Sequence, residues 1–126
     1  MKKLLTPLLV LAVILALSAG NSTAMAHLSA RWQDQLRRAD ALAQQERWTE
    51  AAAAMEEGYG DWSRHQTYLH IVTEHDAVEV AESMYLRAAA FARTQELSEF
   101  RAETAGLCAQ LRLLTEMERL HIGNIL

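Results

Sequence analysis

The stretch WTEAAAAMEEGYGDWSRHQTYL, residues 48–69, places a large apolar residue at every seventh position: Trp48, Met55, Trp62 and Leu69. Ala52, Tyr59 and Gln66 occupy the intermediate places of the same face. A seven-residue frame of this kind is the signature of a helix that lays one side against other helices. The frame passes through Gly58 and Gly60 without losing phase, so the spacing predicts one helix from about Thr49 to Glu74, at a cost of ~1 kcal/mol for each interior glycine relative to alanine. A break at Gly58 to Gly60 is the alternative.

Outward from this helix, no segment alternates like a strand, and Pro7 is the only proline. Asp76 with Glu79 three residues later has the form of an N-cap with its capping-box partner, which predicts a new helix there. That helix would turn Val78, Ala81, Tyr85, Ala88 and Ala92 to the core, with Met84 and Phe91 beside them. A last helix is expected from Leu97, carrying Leu97, Phe100, Thr104, Leu107, Leu111 and Leu114 inward and stopping near Gly123 and Asn124. ALAQQERWTEA (41–51) and AFARTQELSEF (90–100) echo each other, each across a helix end and the next start, which suggests two related helical hairpins. Short connections make neighbouring helices antiparallel. The expected fold is all-α, with an N-terminal anchor helix continuing into a small antiparallel bundle of about four helices.

The N-terminus, MKKLLTPLLVLAVILALSAGNSTAMAHL, is an export signal with two lysines, an apolar run from Leu4 to Leu17 and small residues after it. Ala24 and Ala26 sit where signal peptidase reads small side chains, and cleavage after Ala26 would leave His27 as the new terminus. Against cleavage, no charge occurs between Lys3 and Arg31, a span long enough to cross ~30 Å of hydrocarbon. A helical pattern also continues out of the apolar run through Leu28, Trp32, Leu36, Ala39 and Ala43. Retention is the favoured reading: residues 1–26 form a transmembrane signal-anchor, and 27–126 an extracytoplasmic helical bundle. The N-terminus, with the only lysines, Lys2 and Lys3, stays cytoplasmic. A lipid anchor is excluded, because Asn21 stands where the lipidated cysteine would be needed.

The chain of 126 residues is 51% hydrophobic, enough for one folded domain. It carries 16 acidic residues against 12 Lys plus Arg, and without the two lysines the balance is 10 against 16, a net charge of −6. Nucleic acid is therefore not an expected partner, since no cluster of positive charge can displace counterions.

HQTYLHIVTEHD, residues 65–76, is the one stretch that resembles chemistry. On a continuous helix each step of five residues turns ~140°, so His65, His70 and His75 point three ways and converge on no ion. His27 or His121 would have to be recruited from elsewhere. No metal or other cofactor is expected. Cys108, beside Leu107 and Leu111, reads as a small buried thiol, or as a thiol pairing between chains. There is no Gly-x-Ser-x-Gly turn and no phosphate loop, and the carboxylates are dispersed, so no catalytic residues are expected and the protein is read as not an enzyme. Trp62, His65, Gln66, Tyr68, His70, Glu74, His75 and Asp76 form an interaction or structural motif in which His70 and His75 flank a helix end and Asp76 opens the next helix.

Three motifs carry a family resemblance: N-S-x-x-M-x-H-L (21–28), W-x-x-H-Q-T-Y-L-H-I-V-x-E-H-D (62–76) and E-M-E-R-L-x-x-x-N-I-L (116–126). Together with the lysine-led apolar start, they make the chain resemble the domain of unknown function 4363 family. The resemblance implies a small membrane-anchored helical protein of Gram-positive-type bacteria, with a retained anchor and no assigned activity. The expected role is a non-enzymatic interaction or accessory module of the cell envelope with a protein partner. The alternative is a secreted bundle, cleaved after Ala26, that binds a metal or haem through His70 or His121 with Met117 nearby.

Overall fold

The computed structural model describes residues 2–125, with side chains described for residues 3–120. It contains five helices and, among the described residues, no strand: α1 (Lys2–Gln44), α2 (Trp48–Arg64), α3 (Gln66–Val72), α4 (His75–Arg93) and α5 (Leu97–Ile125). The all-α expectation holds, including the single long helix that runs out of the apolar segment. α1 is unbroken for 43 residues. Its first part is a rod of exposed apolar side chains, with Leu4 70% and Leu17 69% exposed. From Asn21 onward it is one member of a bundle. The neighbours α1–α2, α2–α4, α4–α5 and α5–α1 close a ring, the up-down-up-down arrangement that short loops impose.

The two hairpins anticipated from the sequence echo repeat beyond the turns. Trp32, Leu36, Ala39, Ala43, Ala51, Met55, Gly58 and Trp62 are buried in the first, and 49 positions later Ala81, Tyr85, Ala88, Ala92, Phe100, Thr104, Leu107 and Leu111 are buried in the second. The turns themselves match. Glu46 and Gln95 take left-handed φ values of 61° and 59°. After each, the next amide reaches back to close the helix end, Arg47 N–H to the Leu42 carbonyl at 3.0 Å and Glu96 N–H to the Phe91 carbonyl at 3.0 Å. This is the Schellman geometry that satisfies terminal carbonyls, here without glycine.

Two sequence expectations are corrected. The helix through the seven-residue frame does not run to Glu74, and it does not break at the glycines; it breaks at His65. An uninterrupted helix would have the His65 N–H on the Asp61 carbonyl. Instead that amide tightens onto the Trp62 carbonyl at 3.0 Å, and the His65 ring Nδ1 takes the Asp61 oxygen at 2.8 Å. A side chain has displaced a backbone donor. The frame keeps its phase because α3 restarts at once, so Leu69 is still buried. Second, α4 opens at His75, with Glu74 as its extended N-cap residue and Asp76 inside the first turn. The Thr73 amide and hydroxyl both donate to the Leu69 carbonyl, at 2.9 and 2.6 Å, and the chain then goes extended at Thr73 and Glu74, so the next helix starts upstream of the expected cap. α5 begins at Leu97 and ends at Ile125, beside the expected stop near Gly123 and Asn124.

Candidate functional site

The end of the bundle where α1 leaves it carries a buried polar cluster. The Glu118 side chain, on α5, is 0% exposed. Its carboxylate accepts from Asn21 Nδ2 at 2.6 Å and from the Ser22 hydroxyl at 3.3 Å to each oxygen. Asn21 Oδ1 in turn accepts from the Tyr68 hydroxyl. Burial, and then the nearby Glu118 charge, raise the Tyr68 hydroxyl above its ordinary value, so it is a firm donor. Asn21, Tyr68 and Glu118 come one each from the three motifs that carry the family resemblance. Chain positions as much as 97 residues apart are thus joined at one point.

About two to three turns along the bundle lies a second cluster, built on Asp61 of α2. Its carboxylate receives Arg31 Nε at 2.8 Å and Nη2 at 2.7 Å, a bidentate pair from α1. Gln35 Nε2 adds a bond at 3.1 Å and Arg64 Nη2 one at 3.2 Å. Burial alone would raise the Asp61 carboxyl, but the hydrogen bonds from Gln35 and Arg31, together with the Arg31 charge, hold it below the usual carboxylate value. The three donors from α1 fix its junction with α2, and Arg64 joins the same carboxylate beside the His65 break.

The residues singled out from the sequence separate into three places rather than one. Trp62 is fully buried, with its ring 5.1 Å from that of Tyr85. His65 meets the edge of Trp32 at 5.6 Å, Gln66 donates to Glu82 at 3.1 Å, and Tyr68 joins the Asn21 cluster. His70, Glu74, His75 and Asp76 lie around the α3–α4 turn, with Asp76 exposed. Here another expectation is corrected. His70 and His75 do not diverge: their Nδ1 atoms are 3.0 Å apart and their rings 4.6 Å. The rotation of ~140° assumed one helix, and the extended residues Thr73 and Glu74 turn α4 back so that the two rings meet. His75 Nε2 lies 2.9 Å from Glu79 Oε1. His65 stays apart from this pair.

Cys108 is not in the apolar core. It is half-buried in a cleft of about 330 Å³ between α1 and α5, with Arg37, Asp40, Arg101 and Arg112 around it. Burial pushes its thiol up, against the pull of Arg37 and Arg112, and it remains a thiol at neutral pH. Met117 is half-buried, and the side chain of His121 lies outside the described residues.

Asn21, Ser22, Glu118, Asp61, Arg31 and Glu79 were not singled out from the sequence as site residues. Asn21, Ser22 and Glu118 stood inside quoted motifs, but nothing local marks them as meeting. The family model described as Domain of unknown function (DUF4363) matches residues 21–125, a span that begins at the first residue of the polar cluster. No curated protein and no solved structure matches the chain.

Proposed function

The chain belongs to the domain of unknown function 4363 family, and from that premise we propose that it is a membrane-tethered, extracytoplasmic helical module that binds a protein partner in the cell envelope and performs no catalysis. The observation that carries this reading is the continuity of α1. One helix has an exposed apolar part, long enough to cross a membrane, and a packed part that belongs to the bundle. The Asn21, Tyr68 and Glu118 cluster ties α3 and α5 to α1 where these parts join, so the domain stands in a fixed attitude on its anchor. Cleavage after Ala26 would strip the bundle of Met25, which is 0% exposed, and would remove both donors to Glu118. This supports retention over a secreted form. Lys2 and Lys3 favour a cytoplasmic N-terminus.

The test is topological. A reporter active only in the cytoplasm, fused after Leu126, should be silent, and the mature protein should keep its N-terminal segment by mass. Strong reporter signal, or a mature chain beginning at His27, would overturn the proposal.

A further inference from the structure

We propose that His70 and His75 form a two-histidine site for a late first-row divalent cation, with Cu2+ the best fit, and that Glu79 orients the site. This stands apart from the membrane reading and would hold for a tethered or a released domain.

The spacing carries the argument. Two nitrogens each ~2.0–2.1 Å from one ion are about 2.9 Å apart when they bind at a right angle, and about 3.3 Å apart at a tetrahedral angle. The two Nδ1 atoms stand 3.0 Å apart, close to the right-angle value. Adjacent imidazoles at a right angle suit the tetragonal preference of Cu2+, and imidazole sites bind Cu2+ most tightly among these ions.

Protonation supports the same assignment. Glu79 Oε1 lies 2.9 Å from His75 Nε2, so a neutral His75 that keeps its proton on Nε2 turns it toward the carboxylate and leaves the Nδ1 lone pair free. A carboxylate on the far nitrogen is the arrangement that orients metal-bound histidines and raises their basicity. Without an ion, His70 must place its own proton on Nδ1 and donate it to His75. With an ion, His70 carries its proton on Nε2, and the cation takes the place of the shared hydrogen. His70 gives its Nδ1 proton to water and takes one up from water at Nε2, so the ring stays neutral and no net proton is released.

The setting is open and firm. His75 begins α4 and His70 ends α3, and the Thr73 hydroxyl bond to the Leu69 carbonyl fixes the turn between them. Among the described residues no group of three or more His, Cys, Asp or Glu side chains converges on one point. The remaining coordination positions therefore belong to water or to a donor from a partner, and the site is one of exchangeable, not structural, metal.

The experiment titrates Cu2+ into the full chain in detergent and reads affinity by calorimetry and ligation by electron paramagnetic resonance. The expected result is one Cu2+ per chain with two equatorial imidazole nitrogens. His70→Ala and His75→Ala should each weaken binding at least ~10-fold, and Glu79→Gln by ~10-fold, the usual loss when an outer-shell partner of a ligand is removed. His27→Ala should leave it unchanged. Circular dichroism of each variant establishes that the helices persist. Absence of stoichiometric binding, or an affinity in either histidine variant unchanged from that of the parent, would overturn the site; an unchanged affinity in Glu79→Gln would overturn the role given to that carboxylate.

Discussion

Asn21→Ala should be among the most costly polar substitutions in the protein. Its amide donates to the fully buried Glu118 at 2.6 Å, and its carbonyl accepts from Tyr68. A hydrogen bond to a charged group is worth about 1.5–3 kcal/mol and a neutral one about 0.5–1.5 kcal/mol. The sum is reduced because Asn21 and Tyr68 are only half-buried, and water can enter beside them. The expected loss is about 2–3 kcal/mol. Ser22→Ala removes two 3.3 Å contacts to the same carboxylate and should cost about 1 kcal/mol or less. The assay is equilibrium unfolding of the full chain in mild detergent, followed by tryptophan fluorescence, since Trp32, Trp48 and Trp62 all report on the bundle. A double-mutant cycle with Glu118→Ala isolates the pair and should give a coupling of at least about 1 kcal/mol. Equal effects of Asn21→Ala and Ser22→Ala, or a coupling near zero, would refute the reasoning, because Glu118 would then be satisfied by something other than α1.

Trp62→Ala should cost about 3–5 kcal/mol in the same assay, because it empties a fully enclosed site against Tyr59 and Tyr85. Gly58→Ala should stabilise by about 0.5–1 kcal/mol: the glycine is helical, and an added Cβ would meet Gln35 atoms at 3.7 Å, an ordinary contact. A loss instead would mean that α1 and α2 approach more closely than this. Asp61 has its carboxyl lowered in the folded state, so its stabilisation is present in full above the ordinary carboxylate value and is lost as pH falls below about 4. Asp61→Asn should therefore lower stability at neutral pH and flatten the acid limb of a stability profile; an unchanged acid limb would show that other carboxylates govern it.

Periodicity made most of this fold readable, because burial on a helix repeats on the chain itself. The buried faces of α4 and α5 follow the expected positions from Val78 to Leu114, with Leu97 the exception at 37% exposed. What periodicity cannot carry is competition between a side chain and the backbone. The His65 ring takes the Asp61 carbonyl, and past Val72 the chain goes extended at Thr73 and Glu74; neither changes the spacing of apolar residues. Both breaks were therefore missed or displaced, and the histidine geometry failed with them, since it was worked out on a helix that does not exist past Val72. The echo between residues 41–51 and 90–100 was legible because the turn needs the same residue pattern twice. The Asn21 cluster was legible only as three separate motifs, because their meeting depends on the whole bundle closing.

The distribution of buried polar groups assigns different work to the two ends of the bundle. Toward the loops, the interior is lined by Ala39, Ala43, Ala51, Ala88 and Ala92, each at most 1% exposed. Methyl groups permit close helix approach, but one alanine layer resembles the next, and such a surface fixes register weakly. Toward the departure of α1, Ser29, Gln33, Asp61 and Glu118 are buried, and each finds a partner on another helix or within the cluster. A one-residue slip of α5 along α1 moves a side chain ~1.5 Å and swings it ~100° about the helix. That would leave Glu118 facing no donor and Gln33 without Arg112, and would turn Phe100, Leu107, Leu111 and Leu114 away from the core as well. Polar pairs that are costly to break and unforgiving of displacement are the devices that select one register among several. Because the Glu118 bonds lie where the apolar part of α1 meets the bundle, the bonds that help to fix register there also set the angle at which the bundle stands on its long helix.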